Sequence, residues 1–442
     1  MMKLIALAFL LLCAQDPAPL KAGFAEVDIS PALPTRKIGS NNKLTGTTLL
    51  DPLYAKAAVL ECGGGRAAFI GLDLLFVHRD QVAEIRRRIQ EKFGFPGEAV
   101  MVGATHNHAG PAIETDLYPK DEAYIQLMIE RSVAAFGQAW ESRKEAELGY
   151  ASANEWRVAY NRRVTYRDGT SRCHGNFKDA NALAFEGPVD PEVAVLAARA
   201  KDGALLGTIV NFACHPCHHG GDATFTAGYP GQLAKAMKEK GCPVTLFLQG
   251  AGGNMHHQDP SGLNKEKNME EAGQALAADV EKALSGMKYR GTVAISSRSK
   301  TLDLPYRKPS EDEVKGKVKG AQRFGEPGFY DKTQDQVLEE IQREGTAKAE
   351  VQAILISDLV YVAIPAEYFV QHGLRIKMET YPWRTRVVGY ANGMLGYVPH
   401  KEAFPRGGYE TTFGYRSKLA PEAGDLLADA AVQLIIARPE GR

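Results

Sequence analysis

The sequence predicts an α/β fold in which layered mixed sheets are covered by helices. Three observations carry this. Apolar runs of strand type recur in pairs around Gly-rich or Asp-Gly turns. Each pair is followed by a stretch with one apolar helical face, and then by a shorter apolar run and a closing helix. This order of hairpin, helix, strand, loop and helix occurs three times along the 442 residues.

In the first copy, runs at 54–60 and 66–76 flank Gly63-Gly64-Gly65. A helix over 80–93 follows, with Val82, Ile85, Ile89 and Phe93 on one face, then a strand at 99–103 and a helix at 121–141. The second copy has runs at 193–200 and 204–212 around Asp202-Gly203, a helix at 231–240, a strand at 243–248 and a helix at 265–285. The third has runs at 349–356 and 358–364, a helix at 368–380, a strand at 385–389 and a final helix at 421–437. Asp73, His215 and Glu367 close the second hairpin strand of each copy, at separations of 142 and 152 residues. The period suggests three pseudo-equivalent ββαβα units around one site. Coincidence among common α/β elements would produce the same order.

Residues 298–348 are polar, rich in Lys, Glu and Asp, and punctuated by Pro305, Pro309 and Pro327. They predict an inserted loop and surface helix, either a lid or a solvated excursion. No stretch has the composition of a flexible interdomain linker, so residues 21–442 are expected to form one domain. Before it, 1–20 has one Lys and an apolar run from Leu4 to Cys13, too short to span a bilayer and arranged like a secretory signal. The expected location is therefore exported, periplasmic or secreted, with no transmembrane segment.

Lys plus Arg and Asp plus Glu both number 53, which argues against a nucleic-acid binder. Loss of Cys13 with the signal leaves Cys62, Cys173, Cys214, Cys217 and Cys242, an odd number in an oxidising compartment. Cys214-His215-Pro216-Cys217-His218-His219 invites a Cys/His metal-box reading, but no second Cys pair at zinc-ribbon spacing accompanies it. Small buried or incidental thiols are the expectation.

Chemistry is expected at the strand ends. His106 and His108 form His-x-His after a strand, a spacing that aims both rings one way on extended backbone. His215 follows an apolar run and precedes a Pro, while Glu367 follows a strand and stands near a helix N-terminus, where capping alone would favour a carboxylate. Ligand-type residues at corresponding strand ends point to a metal, which capping does not explain.

Five stretches then resemble, in order, the motifs of the neutral/alkaline ceramidases. They are Thr105-His106-Asn107-His108-Ala109-Gly110-Pro111, Tyr160-Asn161-Arg162, Asn211-Phe212-Ala213-Cys214-His215-Pro216, Pro365-Ala366-Glu367-Tyr368, and Gly389-Tyr390 through Gly396-Tyr397 to Gly408-Tyr409-Glu410. The resemblance covers the catalytic domain of that family. It implies one zinc ion held by His106, His215, Glu367 and Tyr397, a mixed N/O donor set. It implies that His108 hydrogen-bonds substrate and moves a proton, that Arg162 contacts substrate, and that Tyr409 stabilises the oxyanion. Asp73 is expected behind the ligands.

One departure concerns the loop after 248, where the family carries a serine and an acidic residue and this chain has Gly250 and Asn254. Both are expected at the substrate, with Gly250 admitting a bulkier group near the backbone. The resulting expectation is a zinc-dependent hydrolase of an amide in an N-acyl substrate, either a small molecule or a lipid. A metal-dependent esterase or lactonase, and an exported binding protein with a structural metal, are the competing readings.

Overall fold

A computed structural model describes residues 18–40, 42–113, 119–325 and 328–437. The signal peptide expected at 1–20 lies outside the described residues over 1–17. Among the described residues, no helix is long and apolar enough to cross a membrane.

Eight strands form the path of a nine-stranded sheet: β1 (Lys21–Asp28), β2 (Tyr54–Cys62), β3 (Gly65–Leu72), β4 (Val100–Ala104), β5 (Lys144–Asn154), β6 (Glu192–Ala200), β7 (Leu205–Phe212) and β8 (Thr245–Gln249). Their order is β8-β7-β6-β5-β1-β2-β3-β4, and Tyr289–Arg290 pairs on β5. A second sheet has the order β9 (Ile295–Pro305), β10 (Thr346–Ile356), β11 (Leu359–Ala363) and β12 (Arg384–Val388).

The sheets pack face to face. Phe69, Leu196, Ile209 and Leu246 meet Ile354, Tyr361 and Val388 in one core, where the rings of Phe69 and Tyr361 stand 5.0 Å apart. Helices α1 (Arg79–Phe93) and α2 (Glu122–Ser142), with α3 (Gly228–Glu239) and α4 (Met269–Ser285), cover the outer face of the large sheet. The small sheet is covered by α6 (Val370–Glu379) and α7 (Ala423–Ile436), and α5 (Phe329–Glu344) lies in the excursion between β9 and β10. Strand β3 shows why its run reads as continuously apolar: Ala68, Ile70 and Leu72 enter the helix-side core while Ala67 and Phe69 enter the core between sheets.

In β2-β3-α1-β4, β6-β7-α3-β8 and β10-β11-α6-β12, an antiparallel hairpin leads through a helix to a strand parallel to the second hairpin strand. The first two stretches share the large sheet and the third is in the small one. The large sheet rolls until its edge strand β8 meets β2 and β3: Lys56 Nζ donates to the Thr245 carbonyl at 3.2 Å, and a Cβ on Gly71 would lie 3.1 Å from the Phe247 oxygen. This roll gathers the carboxyl ends of the parallel pairs at one place, where open α/β sheets carry their sites.

Two boundaries differ from expectation. Residues 298–305 and 346–348 belong to the β9/β10 pair, so the excursion spans only 306–345. Strand β9 has only two buried residues among eleven, and its exposed and half-buried residues give it an insertion-like composition. Helix α4 starts at Met269 rather than 265 because Asn268 and Glu271 form a reciprocal capping box, with bonds of 2.8 and 3.0 Å. The five described cysteines are free thiols, four buried and Cys217 half-buried.

Candidate metal centre and cleft

Three histidines converge beyond β4 and β7. His106 donates from Nδ1 to the Leu75 carbonyl (2.9 Å), His108 to that of Gly39 (2.8 Å) and His215 to that of Gly252 (2.7 Å). A carbonyl only accepts, so each bond places the proton on Nδ1 and leaves the neutral ring a bare Nε2. Those Nε2 atoms face one another: His106 and His108 are 3.1 Å apart, and the three lie within 4.8 Å. Glu367 adds an oxygen, its Oε2 standing 3.3 Å from Nε2 of both His106 and His215. His215 Nε2 and Glu367 Oε2 are buried without a hydrogen-bond partner.

Lone pairs aimed at one another in a buried pocket repel unless a cation or proton lies among them. Burial pushes His215 down to about 3 and His108 well below the ordinary imidazole value, which favours the uncharged ring that ligates metal. Burial alone would raise the Glu367 carboxyl, and a positive charge shared with the His106 and His215 rings would hold it well below its usual range. Neutral imidazoles and a carboxylate form a donor set suited to zinc, and carbonyls on the remote ring nitrogens are the usual support for such ligands. These residues therefore fit the metal, and His108, whose Nε2 is 3.1 Å from that of His106 but which forms no ion pair with Glu367, stands at the edge of the cluster.

Tyr397 reaches the site through a two-residue parallel pairing of Glu367–Tyr368 with Tyr397–Val398. Its hydroxyl accepts from Arg162 Nη2 at 3.1 Å, and burial followed by the Glu367 charge pushes the phenol well above its ordinary value. Arg162 Nε donates to Glu410 Oε1 (2.8 Å), Arg163 Nη1 donates to Glu410 Oε2 (2.6 Å), and Glu186 pairs with Arg163. Tyr409 lies beside this network, its ring 5.5 Å from that of Tyr397 and its hydroxyl accepting from Arg416 at 3.3 Å. His106, His108, His215, Glu367, Tyr397, Arg162 and Tyr409 are thus brought together.

Asp73, Gly250 and Asn254 are not. Asp73 Oδ2 accepts from Tyr54 N at 3.0 Å, and burial raises its carboxyl to about 6. It reaches the histidines only through its carbonyl, 3.4 Å from the Asn107 amide. Gly250 is packed on Ala213, whose Cβ would lie 2.8 Å from an added Cβ. Asn254 is buried, accepting from Val370 N and donating to Gln371, both at 2.9 Å. Its backbone carbonyl accepts from Arg162 N. Gly250 and Asn254 brace the site from behind, because the loop after β8 turns into the protein beneath Glu367.

Two contributors were missed in the sequence. Gln249 Nε2 donates to the carbonyls of Thr105 (3.1 Å) and Cys214 (2.7 Å), and its Oε1 accepts from Cys214 N (3.1 Å). One side chain thus joins the loops bearing His106 and His215. Tyr390 stacks on His106 with ring centroids 3.9 Å apart. Both His106 (φ 63°) and Tyr390 (φ 55°) adopt left-handed backbone, a costly conformation for side chains of this size that clusters at functional sites. Tyr390 lay within a quoted motif, but nothing in its spacing indicated stacking.

No family model matches the chain. Among solved structures it is similar to neutral ceramidase from Pseudomonas aeruginosa, with a TM-score of 0.72, 18% identity, and coverage of 95% of this chain and 75% of that one. It is also similar to a ceramidase complexed with C2, with a TM-score of 0.74, 19% identity and the same coverage. The chain has the fold of these ceramidases.

Proposed function

We propose that this protein is a zinc-dependent hydrolase that cleaves the amide bond of an N-acyl substrate by addition of water. The observation that carries the reading is the convergence of three bare Nε2 atoms and one carboxylate oxygen in a buried pocket bordered by Arg162, Tyr397 and Tyr409. The ceramidase fold supports the choice of an amide bond.

His106, His215 and Glu367 would hold the ion, with Tyr397 beside them and His108 at the cluster edge. Zinc, when bound, supplies Lewis acidity and makes water acidic enough to attack near neutral pH. As water adds to the carbonyl carbon, one of its protons passes to His108 Nε2. The C–N bond then breaks, and that proton goes to the leaving nitrogen, giving a carboxylic acid and an amine. Arg162 and the Tyr409 hydroxyl would stabilise the negative charge that develops on the carbonyl oxygen. The Arg162–Glu410–Arg163 chain holds the guanidinium in position. The same architecture is expected to act after export, on a small-molecule or lipid amide.

Elemental analysis and an N-acyl amide turnover assay, run on wild type, His106→Ala and His215→Ala, test the reading. About one zinc per chain, lost together with turnover in the variants, is the expected result. Folded protein that takes up no zinc overturns it.

A further inference from the structure

The cleft has two unlike sides. On one, Ile38, Leu75, Phe76, Met394 and Leu395 close an apolar pocket of about 60 Å³ against His106 and Glu367. On the other, a cavity of about 280 Å³ is lined by Arg162, His174, Cys217, His256 and Tyr409. Cys217 and His256 also border a third space of about 400 Å³, which adjoins the second at these two residues and is lined further by His218, His257 and Glu266. His108, Tyr397 and Arg416 line both the apolar pocket and the first polar cavity, which places the reacting centre at their junction.

The polar arm contains five histidines that the hydrolytic reading leaves unused: His174, His218, His219, His256 and His257. His218 and His257 stack with centroids 4.0 Å apart, His257 and His256 with 4.1 Å, and His174 meets His256 edge-on at 4.7 Å. His257 is only 5% exposed, yet neither of its ring nitrogens makes a hydrogen bond, and His218 Nδ1 is likewise unpartnered. Glu266 Oε1 lies 2.7 Å from His257 Nδ1 without hydrogen-bond alignment. Buried polar atoms are seldom left this way, so these ring nitrogens are available to hydrogen-bond whatever polar group enters the adjoining cavity.

The ligand's chemistry follows from the wall. A neutral imidazole offers one donor and one acceptor, as a hydroxyl does, and burial holds His174 and His257 neutral, at about 4 and about 2. Charges of both signs border the arm, Arg162 and Arg416 at its inner end and Glu266 and Glu270 at its outer end, so an ion of either sign would meet like charge at one end, which favours a neutral polar group. Phe324 lines the first polar cavity and Met269 the second, but among the described residues neither is lined by a Leu, Ile or Val. Beyond the contacts with Phe324 and Met269, a long alkyl chain would lie against imidazoles, guanidinium groups and carboxylates there and gain little from leaving water.

We infer that the amine released by this enzyme is a polyhydroxylated amine of amino-sugar type, seated between His256, His257 and Glu266, with a short acyl group in the apolar pocket. This rests on the proposed amide hydrolysis and specifies its substrate class. Calorimetric titration of the zinc-loaded protein with D-glucosamine, cyclohexylamine and dodecylamine tests it, because amine binding is read without turnover.

Glucosamine is expected to bind at least tenfold more tightly than either comparison amine. His257→Phe, which keeps the stacked ring, and Glu266→Gln, on a half-exposed side chain, are each expected to lower that affinity about tenfold with zinc content unchanged. Tighter binding of dodecylamine, or no glucosamine binding at millimolar concentration, overturns the inference. A parallel assay on N-acetylglucosamine and a long-chain ceramide separates the two readings. Glucosamine binding without turnover of any amide sinks hydrolysis and keeps the subsite, whereas preferred turnover of ceramide keeps hydrolysis and sinks the subsite.

Discussion

Glu367 Oε2 stands 3.3 Å from His215 Nε2, and neither atom has a hydrogen-bond partner. A carboxylate and a bare imidazole nitrogen buried face to face destabilise the fold until a cation joins them. Zinc is therefore expected to stabilise the wild-type protein by about 4 kcal/mol at a thousandfold excess over its dissociation constant. Glu367→Gln should abolish most of that gain, because an amide is a poor substitute for the charged ligand. Thermal melts with chelator and with added zinc check this. An identical zinc-induced shift in the variant would remove Glu367 from the ligand set.

Gln249 joins the His106 loop to the His215 loop, so it should control the spacing of two ligands it does not touch. Gln249→Met preserves volume but leaves the Thr105 and Cys214 groups without their partner. Leaving buried polar groups unsatisfied typically costs about 1–3 kcal/mol each. Loss of a residue supporting metal ligands typically weakens metal affinity about 10–100-fold. Urea unfolding combined with a zinc competition titration measures both effects. Unchanged zinc affinity in a destabilised variant would confine Gln249 to folding.

The contribution of Gln249 shows where sequence reasoning stops. Strand runs, helical faces and ligand-type residues at strand ends are local patterns, and they singled out His106, His215 and Glu367, which the fold brings together with Glu367 Oε2 3.3 Å from Nε2 of both histidines. The rolling of the large sheet is not local: it depends on β8 packing against β2 and β3, nearly two hundred residues away in the chain. Gln249 reads as the polar end of an apolar strand until that roll brings Thr105 and Cys214 to it. Asp73 failed for a related reason, since its place after β3 corresponds to those of His215 and Glu367 while its carboxyl turns back to Tyr54. In the first stretch the candidate ligands His106 and His108 come instead from the loop after β4.

The Glu410 carboxylate gives the fold a specific acid sensitivity. Burial would raise its pKa, but Arg163 and Arg162 hold it at about 2, below the ordinary 4.5. A folded value below the unfolded one means that the stabilisation is present above pH 4.5 and is lost as pH falls from there towards 2. The difference corresponds to about 3 kcal/mol. Glu410→Gln is expected to be less stable at neutral pH and to show a flatter stability curve below about pH 4.5. Denaturant melts at successive pH values check this, and parallel curves for the two proteins would exclude Glu410 as the source.

Tyr409 lies beside Tyr397 and Arg416 and is not a metal ligand in this arrangement. If its hydroxyl stabilises the developing oxyanion, Tyr409→Phe should lower kcat about 100-fold while leaving zinc content and KM nearly unchanged. A matching rise in KM at constant kcat would make Tyr409 a ground-state binding residue instead.

Gly250 occupies the position where the resembled family has a serine, and the packing explains what restoring one would do. The glycine's backbone N–H donates to the Phe212 carbonyl at 2.8 Å, which locks the loop against the end of β7. An added Cβ would meet Ala213 Cβ at 2.8 Å and Ala213 Cα at 3.0 Å, closer than real side chains approach. Gly250→Ser must therefore displace the segment that carries His215, at a cost of about 1–3 kcal/mol for overpacking. The same movement would disturb the Gln249 bonds to Cys214 and so the metal ligands. The expected outcome is a variant with lower stability and weaker zinc affinity that gains no turnover of long-chain ceramide. A stable variant with enhanced ceramide turnover would instead place Gly250 at the substrate and make the missing hydroxyl the determinant of specificity.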